Sequence, residues 1–386
     1  MIRTPLNSSL ILIILIKICI AQVPIKSNFI FQPDKMIHGH VHASCIVEYP
    51  NSDLLACWYE GQTDRSKDVH IQAARLKRSE NAWSETFLLA DTPTLSDNNP
   101  CMIIDQHERL WLFYFTLLGS PEEAWETALL RYKISSRYQD NSRQIVWDIE
   151  NDLPVIPSEL DETVEKLCRD VIPLKKCEEF RLKLKSQLTR RLGWTIRAHP
   201  VLLSSGDLLL PMASANFGIA AMAITSDGGE TWTFSKSPYG YGVDQPTILE
   251  RKDGTLVAFM RDETPAYHIR MSESNDHGLT WSPITKTHFP NPGSGLEVIR
   301  LKSGNVILIY NDCIDDPRNS LAVSMSDDDG ESWQWTRHIE HVNGYGRFDY
   351  PSVIQTRDGL IHVTYSYNVE TIKHVVFSEE WIKKGK

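Results

Sequence analysis

The stretch TILERKDGTLVAFMR (residues 247–261) decides the fold. Thr247, Ile248 and Leu249 run into a polar turn that carries Asp253 and Gly254, and Leu256 to Met260 run out of it. β-branched and aromatic residues on both sides of an Asp-Gly turn are the pattern of a hairpin. The same unit recurs as CIVEYPNSDLLACWY (45–59), CMIIDQHERLWLFYF (101–115), VLLSSGDLLLPMA (201–213), VIRLKSGNVILIYN (298–311) and SVIQTRDGLIHVTYS (352–366). The first apolar residue after each turn falls at Leu54, Leu110, Leu208, Leu256, Val306 and Leu360, at intervals of 56, 98, 48, 50 and 54 residues.

The long interval holds residues 158–192, where Leu160, Val164, Leu167 and Val171, then Phe180, Leu184 and Leu188, follow a helical period. With that segment set aside, the remaining all-β unit repeats at roughly fifty residues, the spacing of propeller blades. The expectation is an all-β, six-bladed β-propeller with a helical insertion (158–192) between the second and third blades.

A second motif follows the hairpin in three repeats: TSDGGETW (225–232), SNDHGLTW (274–281) and SDDDGESW (326–333). Asp and Gly close a tight turn and the Trp packs back between neighbouring sheets. Trp83 and Trp147 occupy the matching place in the first two repeats.

The 386 residues carry 40 Lys+Arg against 50 Asp+Glu, a net charge of −10, with 41% hydrophobic residues. This supports a sizeable core and excludes a disordered chain, and phosphate-backbone binding is not expected. The first 21 residues read as an export signal: Arg3, the apolar run Leu10 to Ile16, and Cys19-Ile20-Ala21 before Gln22. A secreted chain, residues 22–386 forming the propeller, is expected, with no stable membrane insertion. A monomer is the working expectation. Six cysteines remain after that cleavage. Cys45 and Cys57 flank a turn, and Cys168 and Cys177 bracket Pro173, so either pair suits a disulfide. No Asn-x-Ser/Thr acceptor follows Gln22.

Blade phase places the site. In antiparallel hairpins the start of one strand and the end of the next share a sheet edge, and in a propeller these edges converge on one channel mouth. Counting back from each repeat anchor gives His42, Asn98 and Asn99, Arg197, Asp244 and Gln245, Gly295, and Asp349 and Tyr350. Counting forward gives Tyr59 and Glu60, Phe115, Ala213, Arg261, Asn311 and Ser366. Arg318 lies just beyond the fifth hairpin. Clustered guanidinium forks suit a carboxylate ligand. Tyr350 could act as nucleophile, acid or base, or simply pack against the channel wall. His38, His40 and His42 alternate and could share a strand face, which leaves a metal site open, although His42 alone at the mouth is the expectation. No cofactor or metal is expected.

These features resemble the sialidase superfamily, in its branch of Asp-box, BNR-repeat proteins. The resemblance rests on HASCIVEYPNSDLLACWYEG (42–61), LGWTIRAHPVLL (192–203), DQPTILERKDGTLVAFMRD (244–262), PRNSLAVSMSDDDGESW (317–333) and YPSVIQTRDGLIHVTYSY (350–367). It implies three Arg on the substrate carboxylate, a Tyr nucleophile assisted by a Glu, and an Asp acid/base. By this resemblance Arg261 and Arg318 match two of the Arg, Tyr350 matches the nucleophile, and Asp64 matches the acid/base, with Asp68 as a nearby option. The first Arg falls on His42 and the assisting Glu on Gln245, and Gln cannot accept a proton. Arg197 could replace the missing cation, and Asp244 the missing base.

The resemblance therefore implies a sialidase-like glycosidase acting on an acidic glycan, with Tyr350, His42, Asp64 and Gln245 at the chemistry. Arg197, Arg261, Arg318, Asn99, Asn311 and His199 are expected to bind substrate. Two alternatives stay open: a lyase on a glucuronate-containing glycan with His42 and Tyr350 as base and acid, and a propeller that only binds acidic glycans.

Overall fold

Each repeat forms an antiparallel sheet, four-stranded in five blades and five-stranded in the third, because its β-branched and aromatic residues alternate into two buried sheet faces and its Gly and Asp residues sit at the turns. The computed structural model describes residues 26–34, 38–122, 124–140, 144–314 and 317–385. The export signal read at residues 1–21 lies outside them.

The first blade comprises β2 (His40–Glu48), β3 (Leu54–Gly61), β4 (His70–Leu76) and β5 (Phe87–Ala90). The second comprises β6 (Ser96–Ile104), β7 (Leu110–Leu117), β8 (Ala128–Ser135) and β9 (Ile149–Asp152). The helices α1 (Leu160–Asp170), α2 (Leu174–Leu184) and α3 (Gln187–Arg191) then intervene. Five strands make the third blade: β10 (Trp194–Thr195), β11 (Val201–Leu202), β12 (Leu208–Ser214), β13 (Ile219–Thr225) and β14 (Thr233–Phe234). The fourth is β15 (Val243–Glu250), β16 (Leu256–Asp262), β17 (His268–Ser274) and β18 (Thr285–Pro290). The fifth is β19 (Glu297–Arg300), β20 (Val306–Asn311), β21 (Ser320–Ser326) and β22 (Trp335–His341).

The sixth blade combines β23 (Phe348–Gln355), β24 (Ile361–Tyr367) and β25 (Thr371–Phe377) with the first strand of the chain, β1 (Lys26–Phe29). Pairing of Lys26 with Val376 through Phe29 with Lys373 closes the ring with main-chain hydrogen bonds. The repeat pattern begins only at residue 45, so it gave no sign of this closure. A second seam joins blades one and six, where Ser44 donates to Thr364 at 3.0 Å and the Ile46 amide donates to Ser352 at 3.2 Å.

The Asp-box turns work as expected from their composition. Asp227 accepts hydrogen bonds from the Thr231 amide at 2.9 Å and the Thr225 hydroxyl at 2.8 Å, and Asp276 and Asp328 repeat the arrangement. Each box Trp packs toward the preceding blade: Trp232 against Trp111 and Phe113, Trp333 against Phe259. Trp83 meets His374 of the sixth blade edge-on, consistent with its reading as the same device.

Leu160, Val164, Leu167 and Phe180 of the insertion are buried, as the helical period requires. Val171 and Leu188 are exposed, because the chain turns at each helix end before the stripe reaches them. Cys168 and Cys177 form a disulfide with a Cα–Cα distance of 5.3 Å. Cys45 and Cys57 are direct cross-strand partners but remain free thiols, a correction to the second pairing. The Cys45 sulfur instead accepts the Met102 amide at 3.2 Å and faces His199. Among the described residues no helix is long and apolar enough to cross a membrane.

The sixth blade holds a pair of buried imidazoles, His362 Nδ1 lying 3.0 Å from His374 Nε2. Burial pushes His362 down to about 4 and His374 down to about 3 from the ordinary 6.5. Between pH 6.5 and about 4 the unfolded chain therefore binds more protons at these sites than the native one, so stability falls as the pH drops through that window. Asp227 and Asp328, held down to about 2 by their turn hydrogen bonds, add to the fall below about pH 5, where the unfolded carboxylates start to bind protons and the native ones do not. Thermal melts followed by circular dichroism from pH 7 to 4 should show a falling Tm, and His362→Gln with His374→Gln should make that fall shallower.

Candidate active site

Four innermost strands carry the same irregularity at the same height. The cross-strand pairs His42–Tyr59, Asn98–Phe115, Asp244–Arg261 and Asp349–Ser366 are each followed by a β-bulge. The residue after the pair adopts a left-handed backbone every time: Ala43 at φ 56°, Asn99 at 46°, Gln245 at 47° and Tyr350 at 52°. A bulge breaks the period-two pleat and re-aims a side chain, and it is a common device beside functional sites.

These bulges ring one cavity of about 520 Å³ at the mouth of the channel. Its wall includes His42, Asp64, Asn99, Gln245, Arg261, Arg318 and Tyr350, which are thus brought together from five blades. Tyr350 sits at its centre with 9% exposure. Its hydroxyl oxygen accepts a hydrogen bond from Arg261 Nη1 at 2.8 Å and another from Gln245 Nε2 at 3.1 Å. The His42 ring stacks on the phenol ring at a centroid distance of 4.2 Å. Arg318 lies over the same ring at 5.9 Å.

The cations are fixed by their neighbours. Arg318 donates to Asp349 at 3.0 Å and to the Gly293 carbonyl at 2.8 Å. The second oxygen of the fully buried Asp349 pairs with Arg347. Arg347 lines the cavity too and is a third guanidinium that the sequence reading missed. It stands three residues before Tyr350, at the entry to β23, and its position just outside the counted phase is why it escaped notice. Arg261 pairs through Nε with Glu263, another cavity residue. Burial opposes the charge on Arg261, but the Tyr350 hydroxyl, Asp244 and Glu263 outweigh it and hold the guanidinium charged. Burial and then the Asp244 charge raise the Glu263 carboxyl against the pull of Arg261. Burial, followed by the His40 ring and three Arg, holds His42 well below its ordinary value, so its ring is neutral. His42 Nδ1 contacts Ser366 Oγ at 2.9 Å.

Three expected binding residues are placed elsewhere. Arg197 is 2% exposed and lies beneath the phenol, its centre 5.2 Å from the ring, with Nη2 donating to the Tyr350 and Pro351 carbonyls. It clamps the bulge of β23 instead of facing a ligand. Asn311 is fully buried and donates to the carbonyls of Arg318, Ser320 and Phe348, which fixes the loop that presents Arg318. His199 sits at the opposite mouth of the channel, where Nδ1 meets Glu297 at 2.7 Å and Nε2 meets the Ile46 carbonyl at 2.8 Å. Phase counting located the strands correctly in these blades but could not tell which end or face each side chain would take.

His40 and His42 both reach the cavity with rings 5.6 Å apart, while His38 turns to Glu60 at 3.4 Å. Among the described residues no group of three or more His, Cys, Asp or Glu is arranged to hold a metal ion. Asp64 faces the cavity with a half-exposed carboxylate, whereas Asp68 accepts the Gln62 amide and closes a loop. Asn99 lines the cavity and its amide donates to the Ile196 carbonyl at 3.0 Å.

The propeller and its Asp boxes define a BNR-repeat, sialidase-type fold. The sequence matches the BNR repeat-like domain family over residues 52–156 and 181–363, and the chain belongs to that family, within the sialidase superfamily. A sialidase of Micromonospora viridifaciens is 24% identical over 172 residues, which is 42% of this chain but only 26% of that protein. Among solved structures, a Dyadobacter fermentans protein of unknown function superposes with a TM-score of 0.69 at 14% identity, covering 92% of this chain and 99% of its own. A Trypanosoma rangeli sialidase in complex with the inhibitor DANA gives 0.68 at 14%, covering 92% of this chain and 60% of that one. At these identities the likeness is one of fold.

Gly295 makes the floor tight. A Cβ there would lie 2.9 Å from Gln245 Oε1, 3.1 Å from Tyr350 Cδ1 and 3.5 Å from Arg197 Cγ. Gly295→Ala should therefore displace the phenol or the amide at a cost of about 1–3 kcal/mol, the usual range for overpacking a tight site. Denaturant unfolding of the purified variant against the wild type checks this. Equal stability of Gly295→Ala and the wild type would contradict it.

Proposed function

We propose that the protein is a sialidase-like glycoside hydrolase that removes an acidic sugar from a glycan, with Tyr350 as nucleophile. The observation that carries this reading is the Tyr350 hydroxyl, held by Arg261 and Gln245 at the centre of a cavity that contains three guanidinium groups. Arg261, Arg318 and Arg347 would hold the sugar carboxylate by paired hydrogen bonds, and so orient the anomeric carbon over the phenol. Tyr350 Oη would attack that carbon, the glycosidic bond would break, and Asp64 would give its proton to the departing oxygen. Water would then cleave the tyrosyl–sugar bond and return the proton to Asp64.

Gln245 cannot take the phenol proton. The carboxylates that face Arg261 from the same cavity, Asp244 and Glu263, are the available acceptors. The two N–H groups aimed at Tyr350 would stabilise negative charge on its oxygen as it attacks. The apolar leader of the sequence supports a place of action outside the cell.

The amide at position 245 also favours a second reading, in which the cavity binds an acidic glycan without turning it over. Incubation with a fluorogenic sialoside and, separately, with a glucuronate-containing oligosaccharide distinguishes the outcomes. A hydrolase releases the fluorophore, a lyase using His42 and Tyr350 produces an unsaturated uronate, and a binding protein does neither. For the hydrolase, Tyr350→Phe should lower kcat by at least about a thousandfold, the scale of losing a nucleophile. Gln245→Glu should raise kcat, because it places a proton acceptor at the phenol. Full activity in Tyr350→Phe would end the hydrolase proposal.

A further inference from the structure

Exposed apolar side chains gather on one side of the ring. The strand ends that carry cavity residues open into loops around the same mouth, and those loops hold Leu118, Tyr267, Ile314 and Tyr345, all exposed. Helices α2 and α3 stand beside them, since Lys176 and Phe180 of α2 line the same cavity. There Leu174, Leu182 and Leu188 are 72%, 68% and 70% exposed, more than any other leucine among the described residues. Scattered exposed leucines are ordinary, but three so bare within one short segment mark an interaction surface.

The helical period separates this face from the core. At about 100° per residue, Cys177, Phe180 and Leu184 point into the protein, while Leu174, Lys175, Leu182 and Lys185 share a sector of about 100° on the outer side. Residues 174–191 carry seven Lys and Arg against two Glu, in a chain whose net charge is −10. Some of that charge is spent. Arg181 donates to Glu165 of α1 at 2.7 Å, Arg190 donates to Asp161 at 2.8 Å, and Glu179 pairs with Lys176 and Lys183. Lys175, Lys185 and Arg191 are exposed and have no ion-pair partner among the described residues. The same pairs, with the Cys168–Cys177 disulfide, tie α2 and α3 to α1, so the outer face rests on a firm support. Residues 157–180 lie outside the family match, and the helices pair with no blade strand.

We infer that the outer face of α2 and α3 docks on an anionic lipid surface. Leu174, Leu182 and Leu188 would enter the acyl boundary, and Lys175, Lys185 and Arg191 would lie among the headgroups. Leucines interleaved with unpaired cations are the chemistry of an interfacial helix. An acidic polymer would use the cations and leave the leucines in water. A protein partner would have to match their shape over roughly 800 Å² a side. Leu174 and Leu182 stand two turns apart and Leu188 on a separate helix, an arrangement that a fluid bilayer accepts without a complementary shape. Docking there sets the channel mouth beside the bilayer, within reach of glycans tethered to that surface. The cavity takes no part in the contact, so the inference stands whether the site hydrolyses or only binds.

Cosedimentation of the purified full-length protein with phosphatidylcholine vesicles, made with and without phosphatidylserine, tests it. The expected result is binding to the phosphatidylserine vesicles that weakens as salt is added. Lys175→Gln with Lys185→Gln should weaken it about tenfold or more, the scale of removing two cations beside an anionic bilayer. Leu174→Gln with Leu182→Gln should do the same by removing apolar burial, whereas Leu88→Gln, at an exposed leucine of blade one, should change nothing. Thermal melts of both double variants should match the wild type, because the replaced side chains are exposed. Failure to bind phosphatidylserine vesicles, or binding that ignores the leucine pair, overturns the inference. So does a wild type that binds heparin but no vesicles, which would make the face a site for an acidic polymer. A dimer in sedimentation velocity that the leucine pair dissolves, again without vesicle binding, would overturn it in favour of self-association.

Discussion

The site depends on a bulge repeated in the innermost strands of four blades. A regular strand sends successive side chains to opposite faces of its sheet, and in a propeller both faces are buried against neighbouring blades. Tyr350, Gln245 and Asn99 escape that fate because one extra residue at each bulge, with a left-handed backbone, turns the side chain toward the channel mouth. Such a conformation costs a non-glycine residue about 1 kcal/mol or more. The surrounding contacts must hold it, and Arg197 does so at Tyr350 by donating to the carbonyls of the two bulge residues, Tyr350 and Pro351. In the fifth blade the equivalent place is empty of side chain, since Gly295 leaves the room that the phenol and the Gln245 amide occupy.

Electrostatics follows from the same crowding. Three guanidinium groups around one cavity repel one another in a low-dielectric surrounding, and isolated charges of this kind are costly to bury. Asp349 offsets two of them at once by giving one oxygen to Arg318 and the other to Arg347, and Glu263 and Asp244 surround Arg261. The neutral His42 ring adds no further positive charge to the cavity wall. These pairs hold three guanidinium groups at the cavity wall, the side-chain type suited to an anionic ligand.

Blade count, hairpin phase and the helical insertion were legible because they are periodic, and periodicity survives without knowledge of tertiary contacts. The pairs His42–Tyr59 and Asp244–Arg261 were found by counting alone. What could not be counted was direction. Arg197 and Tyr350 share a phase, yet one lies under the other. Asn311 ends its strand at the right edge but is consumed by backbone carbonyls. His199 lies two residues beyond Arg197 in the segment between β10 and β11, and that shift along the chain carries it to the opposite mouth. Arg347 was missed because it precedes β23, where no repeat sets a phase. The closure by β1 was invisible for the same reason: Lys26 to Phe29 pair by backbone, and backbone pairing leaves little trace in side-chain pattern.

The two ends of the channel divide their labour. At the far mouth Glu297 accepts the His199 amide and ring N–H and, through its other oxygen, the Val353 amide, so one buried carboxylate joins three innermost strands or their approaches. Burial opposes ionisation of Cys45, but the Cys57 hydrogen bond and the His199 charge outweigh it and pull the thiol down, while Cys45 and Glu297 raise His199 against the effect of its burial. Every polar atom of that cluster is spent on a protein partner, and the Cys45 sulfur is shut away from solvent at 1% exposure. The near mouth is the reverse: its groups are paired on one side and open on the other. A rigid lock at one end of a channel and unspent hydrogen-bonding capacity at the other is what lets strained bulges persist where a ligand must dock, since the strain at Tyr350 is borne by blades that cannot relax away from it.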